Sequence, residues 1–351
     1  MKLVDIARLA GVSPAAVSAA INCRSQVSVA TRDRIMALVK QYDYVPQSSA
    51  RALSGHRTYQ IGFLVSCKVT LGLANSYFAT LMAGVHEVCK QRNYHLLVST
   101  YDLSDIDNFI MPTNIRQRNI DGLVMAGATS LEVIRQIQKA GIPFVVVGGD
   151  YPDDVLNIRQ DMETTAENLL RYFFSLGHRR LYVPYYYSVT KSIFNTARQR
   201  FSSSGETPEA PEVQLAYWPG DNEFEDGEKA AEQWLGLPES ERFTALYGND
   251  QFAIGFLRRF IASGRRCPDD ISIIASDTII SRNGIFPLTT CASEAFELGQ
   301  AAVDSLLSLI EKTRCFSEVR TDLHKMYHPA EILPGSSTGP IPRWAAKLSP
   351  H

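Results

Sequence analysis

The stretch from Leu3 to Asn22, LVDIARLAGVSPAAVSAAIN, constrains this chain more than any other. Leu3, Ile6, Ala7 and Ala10 follow an i, i+3, i+4, i+7 spacing, which marks one buried face of a helix. Gly11 breaks that helix, Ser13 is placed to cap the next one, and Pro14 suits a first helical position because it has no N–H to leave unpaired. The second helix turns Val17, Ala20 and Ile21 inward. Two short helices joined by so few residues form the helix-turn-helix arrangement that reads DNA.

Asn22 to Gln26 then read as a turn, and Ser28 as the cap of a third helix. Its Ile35, Leu38, Val39 and Tyr42 repeat the same spacing and would close a three-helix core. Residues 47–58, QSSARALSGHRT, are small, polar and basic, and from composition alone they read as a flexible linker. From Tyr59 onward short apolar runs alternate with helical stretches. Strands are expected at Ile61–Val65, His95–Ser99, Gly122–Ala126 and Phe144–Val147, with helices at Tyr77–Arg92, Asn108–Arg118 and Leu131–Ala140. A second set follows at Thr164–Leu176, Leu181–Pro184, Ser192–Phe201, Asp226–Leu235, Thr244–Tyr247, Asn249–Ile261 and Ile271–Ala275. Regular alternation predicts parallel sheets covered on both faces. The expected fold is therefore a small all-α helix-turn-helix domain and a doubly wound α/β core of two lobes facing each other across a cleft.

The length, 351 residues, accommodates both parts. The net charge of −2 hides an asymmetry: residues 1–60 carry eight Lys/Arg against Asp5, Asp33 and Asp43, whereas the remainder carries 27 basic against 34 acidic residues. The N-terminal module is the part suited to a polyanion. Cys23, Cys67, Cys89, Cys267, Cys291 and Cys315 stand at least 22 residues apart, which matches no metal-finger or redox spacing and suits reduced thiols. No signal peptide or membrane span is read, so a soluble, cytoplasmic protein is expected. No metal, cofactor or catalytic motif is read either. The literal G-x-S-x-G at Gly335–Gly339 lacks the strand, helix and later histidine that a nucleophile elbow requires. It opens the Gly-, Pro- and Ser-rich stretch 335–351, which reads as a disordered tail.

Asp5-Ile6-Ala7, Ala10-Gly11-Val12-Ser13, Val17-Ser18, Asn22, Val27-Ser28, Thr31-Arg32, Tyr44, Pro46, Ala50-Arg51 and Leu53 together resemble the lactose/galactose repressor family of bacterial transcription regulators. The resemblance continues through Asp121-Gly122, Ala140-Gly141-Ile142-Pro143, Gly177-His178, Asn249-Asp250-Gln251, Pro268-Asp269-Asp270-Ile271-Ser272, Asp277 and Pro287-Leu288-Thr289-Thr290. It implies a helix-turn-helix domain at 1–45, a hinge helix at 46–58 that orders when two copies pair on DNA, and a two-lobed, periplasmic-binding-protein-like core at 59–334 for effector binding and dimerisation. That core's chain crosses between lobes three times, so Ala292–Lys312 is expected to return to the first lobe as its last helix. The tail carries no leucine heptad of the kind that makes some members tetramers, so a homodimer is expected.

For DNA, the family register implicates Ser13, Pro14, Ala15, Ala16, Ser18, Ala19, Asn22, Arg24, Gln26, Thr31 and Arg32, with Gln47, Ala50, Arg51 and Leu53 from the hinge. The leucine matching Leu53 wedges into the minor groove and kinks the operator. Alanine at 15 and 19, where the family often has polar readers, leaves two readings open. Methyl contacts with thymine, helped by Ser13, Ser18, Arg24, Gln26 and DNA bending, can carry specificity, or the module is vestigial and the protein only senses a sugar.

For the effector, the same register implicates Tyr77 and Phe78 after the first strand, with Phe78 the expected ligand contact and Tyr77 the core residue. Asn249, Asp277 and Ser293 match polar contacts, Asn249 doubling as a helix cap. At most two of Tyr185, Tyr186 and Tyr187 can face the ligand, Tyr185 and Tyr187 being the expected ones. Ile193 stands where many members carry a clamping arginine, with Lys191 nearby, and Gly148 stands where an aspartate is usual. The pocket is therefore expected to differ from the common monosaccharide site and to take a less polar or larger ligand, or none at all.

Overall fold

Three helices open the chain: α1 (Leu3–Ala10), α2 (Pro14–Ile21) and α3 (Val29–Gln41). A computed structural model describes residues 3–21, 27–44, 57–68, 72–186, 188–203, 212–219 and 222–347. Gly11 at φ +64° ends α1, with its own N–H donating to Arg8 O and that of Val12 to Ala7 O, so the left-handed residue satisfies two otherwise orphaned carbonyls. Ser13 Oγ accepts from Ala16 N at 3.2 Å, and Ser28 Oγ from Thr31 N at 3.3 Å, the two caps the sequence implies. Ile6, Ala7, Ala10, Val17, Ala20 and Ile35 form the core.

Tyr42 is 41% exposed, whereas Tyr44 is buried in its place. The cause is Asp43, whose φ of +46° turns the chain so that Tyr44 N reaches Val39 O at 2.9 Å and its ring folds back under the helix. A heptad-like spacing cannot reveal such a reversal. Farther on, the Asp121 carboxylate accepts from Thr58 N, Thr58 Oγ1 and Tyr59 N at 2.7–2.9 Å, tying down the chain where the linker ends.

Two sheets make the core. The first has the order β2-β1-β3-β4-β5: β1 (Gln60–Ser66), β2 (His95–Tyr101), β3 (Gly122–Ala126), β4 (Phe144–Val147) and β5 (Asn157–Ile158). The second has the order β11-β10-β9-β8-β6-β7: β6 (Arg180–Tyr185), β7 (Glu212–Tyr217), β8 (Ala245–Gly248), β9 (Ser272–Ser276), β10 (Thr289–Cys291) and β11 (Ile332–Leu333). Pairs β1–β3, β3–β4, β6–β8 and β8–β9 are parallel, and β10–β11 is antiparallel.

The other α-helices among the described residues are α4 (Ser76–Gln91), α5 (Thr113–Arg116), α6 (Leu131–Lys139), α7 (Met162–Ser175), α8 (Ser188–Ser203), α9 (Glu223–Gly236), α10 (Asp250–Ala262), α11 (Ile279–Asn283), α12 (Ala295–Ile310), α13 (Phe316–Lys325) and α14 (Arg343–Ala346). The helix expected at 108–118 shrinks to α5, because Pro112 clashes with a preceding helical turn and can only begin one. As expected, the chain returns to the first lobe with α12, whose Leu298, Ala302, Val303 and Leu306 join the core beneath β3 and β4. It is not the last helix there: α13 follows, held by Val319 and Leu323.

The stretch after Gly335 is packed, not disordered, as far as it is described. Ser337 is fully buried, its Oγ donating to Ile273 O at 2.6 Å and accepting from Thr289 N at 2.8 Å. Gly339 O accepts from Ser272 Oγ and from buried His178 Nε2, while Trp344 Nε1 donates to Asp270 O. A segment poor in apolar residues is held here by backbone and hydroxyl hydrogen bonds, which composition does not register. The literal G-x-S-x-G therefore places its serine in a carbonyl's grip. His178 is pushed down to about 4 by burial, so it stays neutral in this network.

Among the described residues no single helix is long and apolar enough to cross a membrane.

Candidate functional site

Ser13, which caps α2, and Pro14 and Ala15 at its start are exposed, and Ala16 and Ser18 are half-buried. Ala19 departs from expectation: it is only 7% exposed and lies on the inner side with Val17 and Ala20. Its methyl is the least available of the residues matched to DNA contacts on this helix. Thr31 and Arg32 are half-buried at the start of α3, where Thr31 Oγ1 lies 2.9 Å from Ser28 Oγ. Asn22, Arg24, Gln26, Gln47, Ala50, Arg51 and Leu53 lie outside the described residues, as does Tyr187 in the core.

In the core, the residues singled out for an effector gather at the C-terminal ends of parallel strands, where open α/β sheets form crevices. Tyr77 and Phe78 begin α4 after β1, their rings 5.1 Å apart and edge to face. Both are half-buried against the first-lobe core, and desolvation pushes the Tyr77 hydroxyl up to about 12. Asn249 follows β8 and caps α10, accepting from Phe252 N at 2.8 Å. Tyr185 ends β6 with its ring 5.5 Å from that of Tyr217 at the end of β7. Ser293 is half-buried in the crossover after β10.

Three further positions have surroundings that the sequence does not announce. Asp277, after β9, is already engaged: its Oδ1 accepts from Arg282 Nε at 2.9 Å and Thr290 Oγ1 at 2.8 Å, and its Oδ2 pairs with the same guanidinium. Arg282, a residue that family register did not single out, thus stands beside the position expected to hold ligand. Ile193 packs into the second-lobe core on α8, as a branched apolar side chain does, and takes no clamping role. Lys191 on the same helix is exposed.

A cluster of acids at the cleft was not foreseen. Glu223 and Asp226 on the first turns of α9 and Asp250 at the start of α10 are buried together beyond the ends of β6, β7 and β8. Asp226 Oδ2 accepts from Tyr186 Oη at 3.2 Å, and Lys229 Nζ lies 3.6 Å from its Oδ1. Asp250 Oδ2 accepts from Ser76 Oγ of the first lobe at 3.0 Å, a direct hydrogen bond from one lobe to the other. Burial, reinforced by Asp250 and Asp226, pushes the Glu223 carboxyl up to about 7.

Two glycines bring these acids together. A Cβ on Gly227 of α9 would lie 2.1 Å from Phe252 O, and one on Gly255 of α10 2.0 Å from Phe224 O, so the helices touch backbone to backbone. The sequence signal was present as NEFEDG beside a NDQFAIG string, but nothing in either states that the two helices cross at their glycines.

Comparison with known proteins agrees with this geometry. Residues 2–47 match the family model for bacterial regulatory proteins of the lacI family, and residues 170–338 match a periplasmic binding protein-like domain. The probable HTH-type transcriptional repressor ExuR of Bacillus subtilis (strain 168) is 29% identical over 94% of this chain and 96% of its own length. The fold matches the lac repressor dimer bound to operator and the anti-inducer ONPF with a TM-score of 0.74 at 23% identity, covering 97% of this chain and 99% of that one. A LacI family transcriptional regulator from Enterococcus faecium with bound ribose matches at a TM-score of 0.63 and 25% identity, over 80% of this chain and 99% of that one.

Proposed function

The chain belongs to the lactose/galactose repressor family of bacterial transcriptional regulators, and from that premise we propose how it works. It is a DNA-binding repressor that acts as a homodimer on operator DNA and takes a sugar or sugar derivative between its lobes. The observation that carries effector control is the Ser76–Asp250 hydrogen bond, because a ligand entering the cleft must either keep or replace the one direct polar link from lobe to lobe described at this site. Any ligand that favours one lobe arrangement shifts the balance between DNA-competent and DNA-incompetent states by its differential affinity for them. A protein that senses sugar through a vestigial DNA module is not favoured, since the match to lacI regulators lies on the module itself.

In this reading Ser13, Pro14, Ala15, Ala16 and Ser18 face the major groove, with Asn22, Arg24, Gln26, Thr31 and Arg32 on bases and phosphates. Gln47, Ala50, Arg51 and Leu53 form the hinge contacts. The module spans 1–45, the hinge 46–58, and the effector core runs from 59 through the packed segment ending near 347. The effector contacts are Phe78, Tyr185, Tyr187, Asn249, Asp277 and Ser293, with Tyr77 behind Phe78. Ile279, Ile280 and Ile285, which are exposed on and beside α11, offer an apolar face to the second copy. The protein works in the cytoplasm and turns over no substrate.

Selection of bound sequences from a random DNA pool with the full-length protein tests this. A pseudo-palindrome with a flexible pyrimidine–purine step at its centre is expected, and Leu53→Ala should weaken its binding and reduce its bending. Binding that depends on salt but prefers no sequence, with or without sugars, would overturn the repressor reading.

A further inference from the structure

We propose that the effector carries a protonated primary amine, seated against Glu223, Asp226 and Asp250 on the second-lobe wall of the cleft. This rests on the reading of the cleft as an effector site and specifies the chemistry of that site. Three independent features lead to it. The contacts of Gly227 and Gly255 with backbone oxygens fix the starts of α9 and α10 against each other, so the carboxyls cannot move apart without separating the helices. All three acids are enclosed, at 7%, 4% and 6% exposure respectively. Finally, the Glu223 carboxylate has no hydrogen-bond or ion-pair partner among the described residues, while Asp226 and Asp250 flank it closely enough to raise its affinity for a proton.

A helix dipole favours one acid at a helix start, which accounts for Asp250 or Glu223 taken singly. It does not account for burying three carboxyls together with Lys229 as the neighbouring cation, since Lys229 is itself mostly exposed and 3.6 Å from Asp226 alone. The other groups facing Glu223 and its neighbours, the hydroxyls of Tyr186 and Ser76, supply dipoles and no charge. An enclosed carboxyl without a partner either takes up a proton or gains a cation, and a neutral polyol supplies no charge. An ammonium group brings three N–H donors and the missing positive charge at once. An amino sugar and a free polyamine share this chemistry.

Isothermal titration of the full chain at pH 7.5 distinguishes them. The probes are D-glucosamine, D-galactosamine and D-mannosamine, each against its parent hexose, together with D-ribose, putrescine and spermidine. At least one amine is expected to bind about tenfold or more tightly than its neutral counterpart. Glu223→Gln and the Glu223→Gln/Asp226→Asn double variant should remove that preference. Tighter binding of an amino sugar assigns the amine to a carbohydrate, and tighter binding of putrescine or spermidine assigns it to a polyamine. Equal or tighter binding of neutral sugars, or a preference that survives the double variant, overturns the inference while leaving the effector reading intact. Glu223→Gln also gives an answer without any ligand. Its melting temperature should rise by about 4 °C if an uncompensated carboxylate has been removed, and an unchanged or lower value overturns the inference. Failure of the effector reading itself would appear separately, as operator binding that no probe alters.

Discussion

The two lobes solve the same packing problem and put the result to different uses. In the first, α4 and α12 touch through Gly84 and Gly299, where an added Cβ would lie 2.0 Å from Phe296 O and 2.2 Å from Leu81 O. In the second, α9 and α10 touch through Gly227 and Gly255 in the same reciprocal manner. The first crossing is surrounded by Leu81, Val85, Leu298 and Ala302 and carries at the start of α4 Ser76, which hydrogen-bonds across to the second lobe. The second carries Ala230, Ala231, Phe252 and Phe256 behind it and presents three carboxyls. Close backbone approach is thus a way of building a wall, and the residues at the helix starts decide which side chains the wall carries.

Substituting these glycines would break both crossings. Gly84→Ala, Gly299→Ala, Gly227→Ala and Gly255→Ala should each cost about 3 kcal/mol or more in denaturant unfolding, since the added methyl meets backbone that cannot rotate away. The comparison is sharpened by what survives. Where the variants still fold, the first-lobe pair should keep the amine preference and the second-lobe pair should lose it.

A smaller effect separates the walls by pH. The Glu223 carboxyl lies at about 7 in the folded chain against an ordinary 4.5, so its contribution to stability is full below pH 4.5 and lost as pH rises through about 7. Glu223→Gln should therefore match the parent near pH 4.5 and exceed it at pH 8, by an amount on the order of 3 kcal/mol. His178, held near 4, titrates in both proteins and cancels from the difference. A constant difference across this range would show that Glu223 is not the group responsible. Smallest of all, Ser76→Ala removes one hydrogen bond between lobes, worth about 1 kcal/mol, and should change the effector concentration needed to alter operator binding more than it changes unfolding.

Much of this was legible in the sequence where a periodic pattern meets a local signal. The caps at Ser13 and Ser28, the break at Gly11 and the main strands of both lobes follow from spacing and side-chain chemistry. The errors have separate causes, a backbone torsion, a proline inside a helical pattern and a helix with few apolar residues. Asp43 swaps Tyr42 for Tyr44, Pro112 shortens a helix, and Val319 with Leu323 are too few apolar residues to announce α13. Within the cleft, Asn249 could be read as a cap from its place before a helix. The engagement of Asp277 by Arg282 and the meeting of Glu223 with Asp250 could not, because they depend on where a loop folds and where two helices cross.

The packing of Ser337 against β9 and β10 also sets an order in time. The ribosome delivers the N-terminal helices first, and Ser337 follows nearly 300 residues later, which is about 15–60 s at ordinary elongation rates. Throughout that interval the DNA-reading helices of a growing chain are complete while the second lobe still lacks its final segment. Control by effector is therefore the last property this protein acquires during its own synthesis, and a chain that stops short of Ser337 leaves the ribosome with its DNA module made and its sensor unfinished.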